Sequence, residues 1–177
     1  MRVTLGFRAL ASLAGGMVIT FSQSKGPLQV LLVLAGLAIA QVLALAIGAL
    51  VKVKRDELLS QMPLATFAAI IAVLALLNNS NTAEQFDKAR WLLIIWGLIS
   101  GAFGVWQVRR LGFASRAGKD WAISAGLALA LAGTYLLIPQ MDIITMEGLF
   151  GAYLVIDGVH LALAATGPRS QGKPTAS

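Results

Sequence analysis

An all-helical polytopic membrane bundle is the fold class this sequence predicts, and three observations predict it. The 177 residues are 58% hydrophobic and only 12% charged, with mean hydropathy +0.79, where soluble globular chains carry about 25% charged residues. The apolar residues run in long stretches separated by short charged clusters. The basic residues then fall into alternating connections rather than a single patch. The chain has no cysteine, which excludes a disulfide scaffold and a thiolate metal site.

A helix crossing the hydrocarbon core needs about 20 mostly apolar residues. Six stretches qualify, at about 5–21, 28–51, 58–77, 91–108, 121–139 and 143–166. They fill residues 1–166 as one transmembrane domain, and the Gly/Pro/Ser/Lys-rich segment 167–177 is expected to be a disordered cytoplasmic tail. Pro27, Pro63 and Pro139 fall at or near predicted helix ends, where a missing N–H costs little. Trp91, Trp106 and Trp121 fall near span ends, where indole rings favour the headgroup region, and Trp96 lies deeper. Thr20-Phe21-Ser22-Gln23 is a poor cleavage site, so the first span is expected to stay in the protein.

The net charge of +6 does not mark a nucleic-acid binder, because six spans sort it by side. Arg2, Arg8, Lys52, Lys54, Arg55, Arg109, Arg110, Arg116, Lys119, Arg169 and Lys173 share one side, and Lys25, Lys88 and Arg90 the other. Basic residues accumulate in cytoplasmic loops, so both termini are expected inside. Glu84, Asp87, Asp142 and Glu147 then form a solvated outer rim, beside an Asn78-Asn79-Ser80 glycosylation pattern in an outer loop.

Small residues recur one turn apart in Ala11-x-x-x-Gly15, Ser12-x-x-x-Gly16, Ala40-x-x-x-Ala44-x-x-x-Gly48, Gly97-x-x-x-Gly101 and Gly126-x-x-x-Ala130. In lipid, helices associate largely through close backbone packing, so these stripes predict intramolecular helix contacts ahead of a dimer face. Faint likeness among the stretches from Arg8, Trp91 and Trp121 makes three repeated helical hairpins a candidate organisation.

An ionisable group at membrane depth costs several kcal/mol unless paired or hydrated. Tyr153, Asp157, His160 and Ala164 lie within about 60° of one another on the last helix, at 100° per residue. At 1.5 Å per residue Asp157 lies about 13 Å from the cytoplasmic end of its span, His160 about 9 Å, and Arg8 on the first span about 5 Å. Arg8, Gln41, Tyr153, Asp157 and His160 therefore form a candidate intramembrane polar network. It reads either as a structural clasp joining Arg8 to Asp157 or Asp157 to His160, or as a proton relay. A single histidine excludes a Ser-His-Asp set, and no HExxH, phosphate-binding loop or dinucleotide fingerprint is present, so no catalytic residue, metal or cofactor is implied.

The stretch Trp121-Ala-Ile-Ser-Ala-Gly-Leu-Ala-Leu-Ala-Leu-Ala-Gly-Thr-Tyr-Leu-Leu-Ile-Pro, followed by Gly148-Leu-Phe-Gly-Ala-Tyr-Leu-Val-Ile-Asp-Gly-Val-His, resembles the HdeD-like family of small six-helix bacterial membrane proteins. Gly126, Gly133, Pro139, Gly151 and Gly158 carry the resemblance, which is best over 121–166; the first hairpin departs from it. It implies a bacterial inner-membrane protein, linked to acid stress in some members and without an established biochemical activity; Asp157 and His160 are not carried over from it. Expected partners are the lipid bilayer and another membrane protein or a second copy, with no nucleic acid. The alternative, from the residues alone, is a small proton-linked transporter or channel using Asp157 and His160.

Reporter fusions after Lys54 and Arg116 are expected to read cytoplasmic; either one reading outside would break the six-span arrangement.

Overall fold

The computed structural model describes residues 2–23, 25–51, 53–77 and 81–167. Lys52, the Asn78-Asn79-Ser80 pattern and the tail with Arg169 and Lys173 lie outside the described residues. Six helices follow in order: α1 (Arg2–Phe21), α2 (Pro27–Leu50), α3 (Arg55–Leu76), α4 (Thr82–Leu111), α5 (Arg116–Leu137) and α6 (Ile143–Thr166). Among the described residues there is no strand. Each helix is long and apolar enough to cross a membrane, so the chain is a six-helix membrane bundle. The start of α1 and the end of α6 share one end of it, here the terminal end; the other is the far end.

Local chemistry sets the boundaries. Pro27 opens α2, where its missing N–H leaves no intrahelical bond unmade. Asn81 caps α4, accepting from the Glu84 N–H at 3.0 Å and donating to the Glu84 carboxylate at 3.1 Å. That cap starts α4 nine residues before the expected Trp91, because hydropathy undercounts an amphiphilic first turn. The helix has 30 residues, about 45 Å at 1.5 Å each, against about 30 Å of hydrocarbon. Gly112 ends it at φ 79°, the left-handed region glycine enters freely. Ser115 then caps α5, its hydroxyl accepting from the Gly118 N–H at 2.9 Å. Asp142 caps α6 through the Thr145 N–H at 3.2 Å; hydrogen bonding from Thr145 holds its carboxyl below the usual range. Pro63 lies inside α3 rather than at its end.

The expected hairpins are not the packing units. The most extensive contacts join α4 to α5, α1 to α6 and α2 to α3, whereas α3 touches α4 far less. Small residues decide this. A Cβ on Gly97 would meet the Ala128 carbonyl oxygen at 2.6 Å, and one on Gly104 the Ala125 Cβ at 2.7 Å, so α4 and α5 run in backbone contact. Across α1 and α6 the glycines face both ways, Gly16 against Val155 and Gly158 against Leu13. Gly48 of α2 receives Leu58 of α3. Gly126 is different: nothing lies within 4 Å of its Cβ position, and Gly126 and Ala130 are exposed. That stripe faces outward from the bundle.

The far end is in part the expected solvated rim, with Glu84, Asp87 and Asp142 exposed and Glu147 alone of the four acids buried. Its three cations satisfy the C-terminal carbonyls of the three helices that end there, groups with no intrahelical donor. Lys25 donates to the Ile19 carbonyl of α1, and Lys88 to the Leu77 carbonyl at the end of α3. Arg90 donates to the Tyr135 carbonyl at 3.2 and 3.1 Å and to the Pro139 carbonyl at 3.1 Å, closing α5. Glu147 is only 1% exposed. It accepts from the Gly26 N–H ahead of α2 at 2.6 Å and faces Lys25 at 3.6 Å, a carboxylate placed where the helix dipole favours one. The Tyr135 hydroxyl donates to the Met146 carbonyl at 2.7 Å, tying α5 to α6.

Gly97→Ala is expected to lower the thermal midpoint in mild detergent, by an overpacking cost of about 1–3 kcal/mol, because backbone and not a mobile side chain stands in its way. Gly126→Ala is expected to leave the midpoint unchanged or slightly raised; equal losses at both positions would refute this packing assignment.

Candidate functional site

Two close contacts bring polar side chains together inside the bundle. Gly158 lets α1 approach α6 until Leu13 sits against it, which carries the neighbouring Ser12 to the Asp157 carboxylate. Gly104 lets α5 approach α4 until Ala125 sits against it, and the adjacent Ser124 turns to the same carboxylate. Asp157, 7% exposed, accepts from the Ser12 hydroxyl on Oδ2 at 3.4 Å and from the Ser124 hydroxyl on Oδ1 at 3.2 Å. One carboxylate thus links α1, α5 and α6.

Beside it lies a cavity of about 50 Å³ lined by Arg8, Gln41, Ser100, Trp96 and Tyr153 as well as by Asp157 and its two serines. Counted from the terminal end of each helix, Ser12, Gln41, Ser100, Ser124 and Asp157 all lie about 12–17 Å in, at 1.5 Å per residue. This places one polar layer near the middle of a core about 30 Å thick. Arg8 enters from the terminal side, about 9 Å in. Its guanidinium lies over the Trp121 ring at 5.6 Å, within the distance at which a cation gains from an aromatic face. Arg8 lines the same cavity as Asp157.

Four of the five residues expected to form a network, Arg8, Gln41, Tyr153 and Asp157, therefore line one cavity. His160 does not line it. Its Nε2 bonds to the Asp120 carbonyl of α5 at 3.1 Å, so the one-turn spacing does not join its imidazole to the Asp157 carboxylate by a hydrogen bond. Trp121 is also displaced from expectation: it is buried, in edge contact with Phe103 at 5.5 Å and beneath Arg8. Trp106 is exposed near the terminal end, with Arg110 over its ring at 5.8 Å.

Ser12, Ser100 and Ser124 went unrecognised as site residues. Ser12 reads in the sequence as one small residue among many, and the signal that marks it is its place one residue before the leucine that Gly158 admits. Among the described residues, no three His, Cys, Asp or Glu side chains gather to hold a metal ion.

Double-mutant cycles test the assignment. Ser124→Ala with Asp157→Asn is expected to show coupling of about 0.5–3 kcal/mol in thermal stability, as for groups in one hydrogen-bond network. His160→Ala with Asp157→Asn should couple less; the reverse order would make the Asp157–His160 pair the true contact.

Compared with known families, curated proteins and solved structures, the chain matches no family model, no curated protein and no solved structure.

Proposed function

We propose that this chain is a non-enzymatic small integral membrane protein, accessory or acid-stress-associated as in the HdeD-like group it resembles, whose mid-depth polar cluster serves as a clasp. The observation that carries the reading is how Asp157 is held: each carboxylate oxygen accepts a hydroxyl from a different neighbouring helix. Such bonds between membrane helices contribute about 0.6 kcal/mol on average and up to about 1.7, enough to fix helix order without any chemistry. The proposed place is a bacterial inner membrane with both termini in the cytoplasm, supported by the same resemblance and by the asymmetry of Lys and Arg between the two ends. Its partners are the bilayer and another membrane protein or a second copy.

A second reading, a small proton-linked transporter, draws on one observation: an aspartate and an arginine face one cavity within the membrane-spanning region, where ionisable groups usually mark transport paths. The engagement of His160 by the Asp120 carbonyl weighs against the Asp157–His160 relay that reading needs.

Proteoliposomes under a pH gradient decide between them. No proton flux above protein-free vesicles is expected, and Asp157→Asn is expected to change only thermal stability. A flux that Asp157→Asn abolishes while the fold survives would make the protein a transporter. The stress assignment has its own check: a deletion strain that survives acid challenge as well as its parent would remove it.

A further inference from the structure

The polar layer contains groups that the protein itself leaves unsatisfied. Gln41 is 4% exposed, and its side-chain nitrogen, fully enclosed, has no hydrogen-bond partner within the protein. The Ser100 hydroxyl is in the same condition. Both line the cavity beside Asp157. A buried amide or hydroxyl without a partner costs about 1–3 kcal/mol by mutational measure, and lipid offers no substitute donor or acceptor.

Size and charge then define what belongs there. A cavity needs at least about 10–15 Å³ to admit one water, and this one has about 50 Å³, room for about three. The walls carry one acidic and one basic side chain, Asp157 and Arg8, which balance each other when both are ionised. A further ion would be uncompensated at mid-membrane, where a lone charge costs several kcal/mol. The occupant must be small, uncharged, and able both to accept from the Gln41 amide and to serve the Ser100 hydroxyl. Cavities that stay dry are apolar; polar ones of this size hold water.

We infer that two or three ordered water molecules occupy this cavity as a built part of the protein, bridging Gln41 and Ser100 to the Arg8–Asp157 pair. The water completes the hydrogen bonding of α2 and α4, which the Asp157 clasp does not reach, and so extends one polar network over five helices. It lies between Arg8 and Asp157 and hydrates both side chains at mid-depth in the bundle. The inference holds for a clasp and for a relay alike, so the flux measurement leaves it standing or falling on its own test.

That test is water-edited solid-state NMR on full-length protein in proteoliposomes, with side-chain-amide-labelled glutamine. Magnetisation is expected to pass from water to the Gln41 amide about as readily as to exposed Gln140, and the signal is assigned by its loss in Gln41→Asn or, if that variant does not fold, by through-bond correlation in the parent. A Gln41 amide that stays silent while Gln140 responds would show a dry cavity and overturn the inference. The spectra are then recorded with sodium chloride replaced by a bulky organic salt. An unchanged Gln41 amide is expected; a resonance that moves with sodium or chloride would put an ion in the cavity and overturn it as well.

Discussion

Every polar group that these helices bury within the membrane has to be satisfied inside the bundle, by the protein or by water it encloses, because hydrocarbon offers neither donor nor acceptor. That constraint explains the far end as fully as it explains the centre. Three helices end there, each with carbonyls that lack an intrahelical donor, and Lys25, Lys88 and Arg90 supply donors to all three. A face with few cations spends them on its own helix ends. Glu147 follows the same logic with the sign reversed, buried against the N–H of Gly26 at the start of α2.

The centre obeys the constraint through packing. Hydroxyls reach Asp157 because the backbones come close, and beside Ser12 and Ser124 that approach is made at Gly158 and Gly104. The polar clasp and the glycine contacts are therefore one device. In lipid, where the hydrophobic effect does not drive helices together, dispersion between close backbones and a few internal hydrogen bonds must do so. The strongest pairings in this bundle, α4 with α5 and α1 with α6, are those with glycine in backbone contact.

The contact of α1 with α6 has a topological consequence. It closes the bundle by bringing the first and last helices together, and it places an arginine from α1 and an aspartate from α6 around one cavity. Neither helix could hold its charge alone at that depth without several kcal/mol of penalty. Trp121 of α5, lying under the Arg8 guanidinium, gives the cation a face to rest on where water is scarce.

Composition and hydropathy alone determined that this chain is a bundle of six membrane helices, since about 20 apolar residues in a row leave the backbone no alternative in lipid. They also marked Arg8, Gln41, Tyr153 and Asp157, because a polar residue in an apolar run is conspicuous wherever it ends up. Other features were invisible. Glu147 reads as a rim residue because hydropathy records a charge but not the N–H it will meet. The Asp157–His160 spacing was correct as helical geometry, yet α5 offers His160 the Asp120 carbonyl, a competitor that no single-helix projection contains. The α4 start was missed for a local reason, an Asn81 cap in a polar stretch. Tertiary structure decided which small residues touch: Gly97 and Gly126 sit in equally plausible stripes, and only the neighbour each one meets makes the first a contact and the second an open surface.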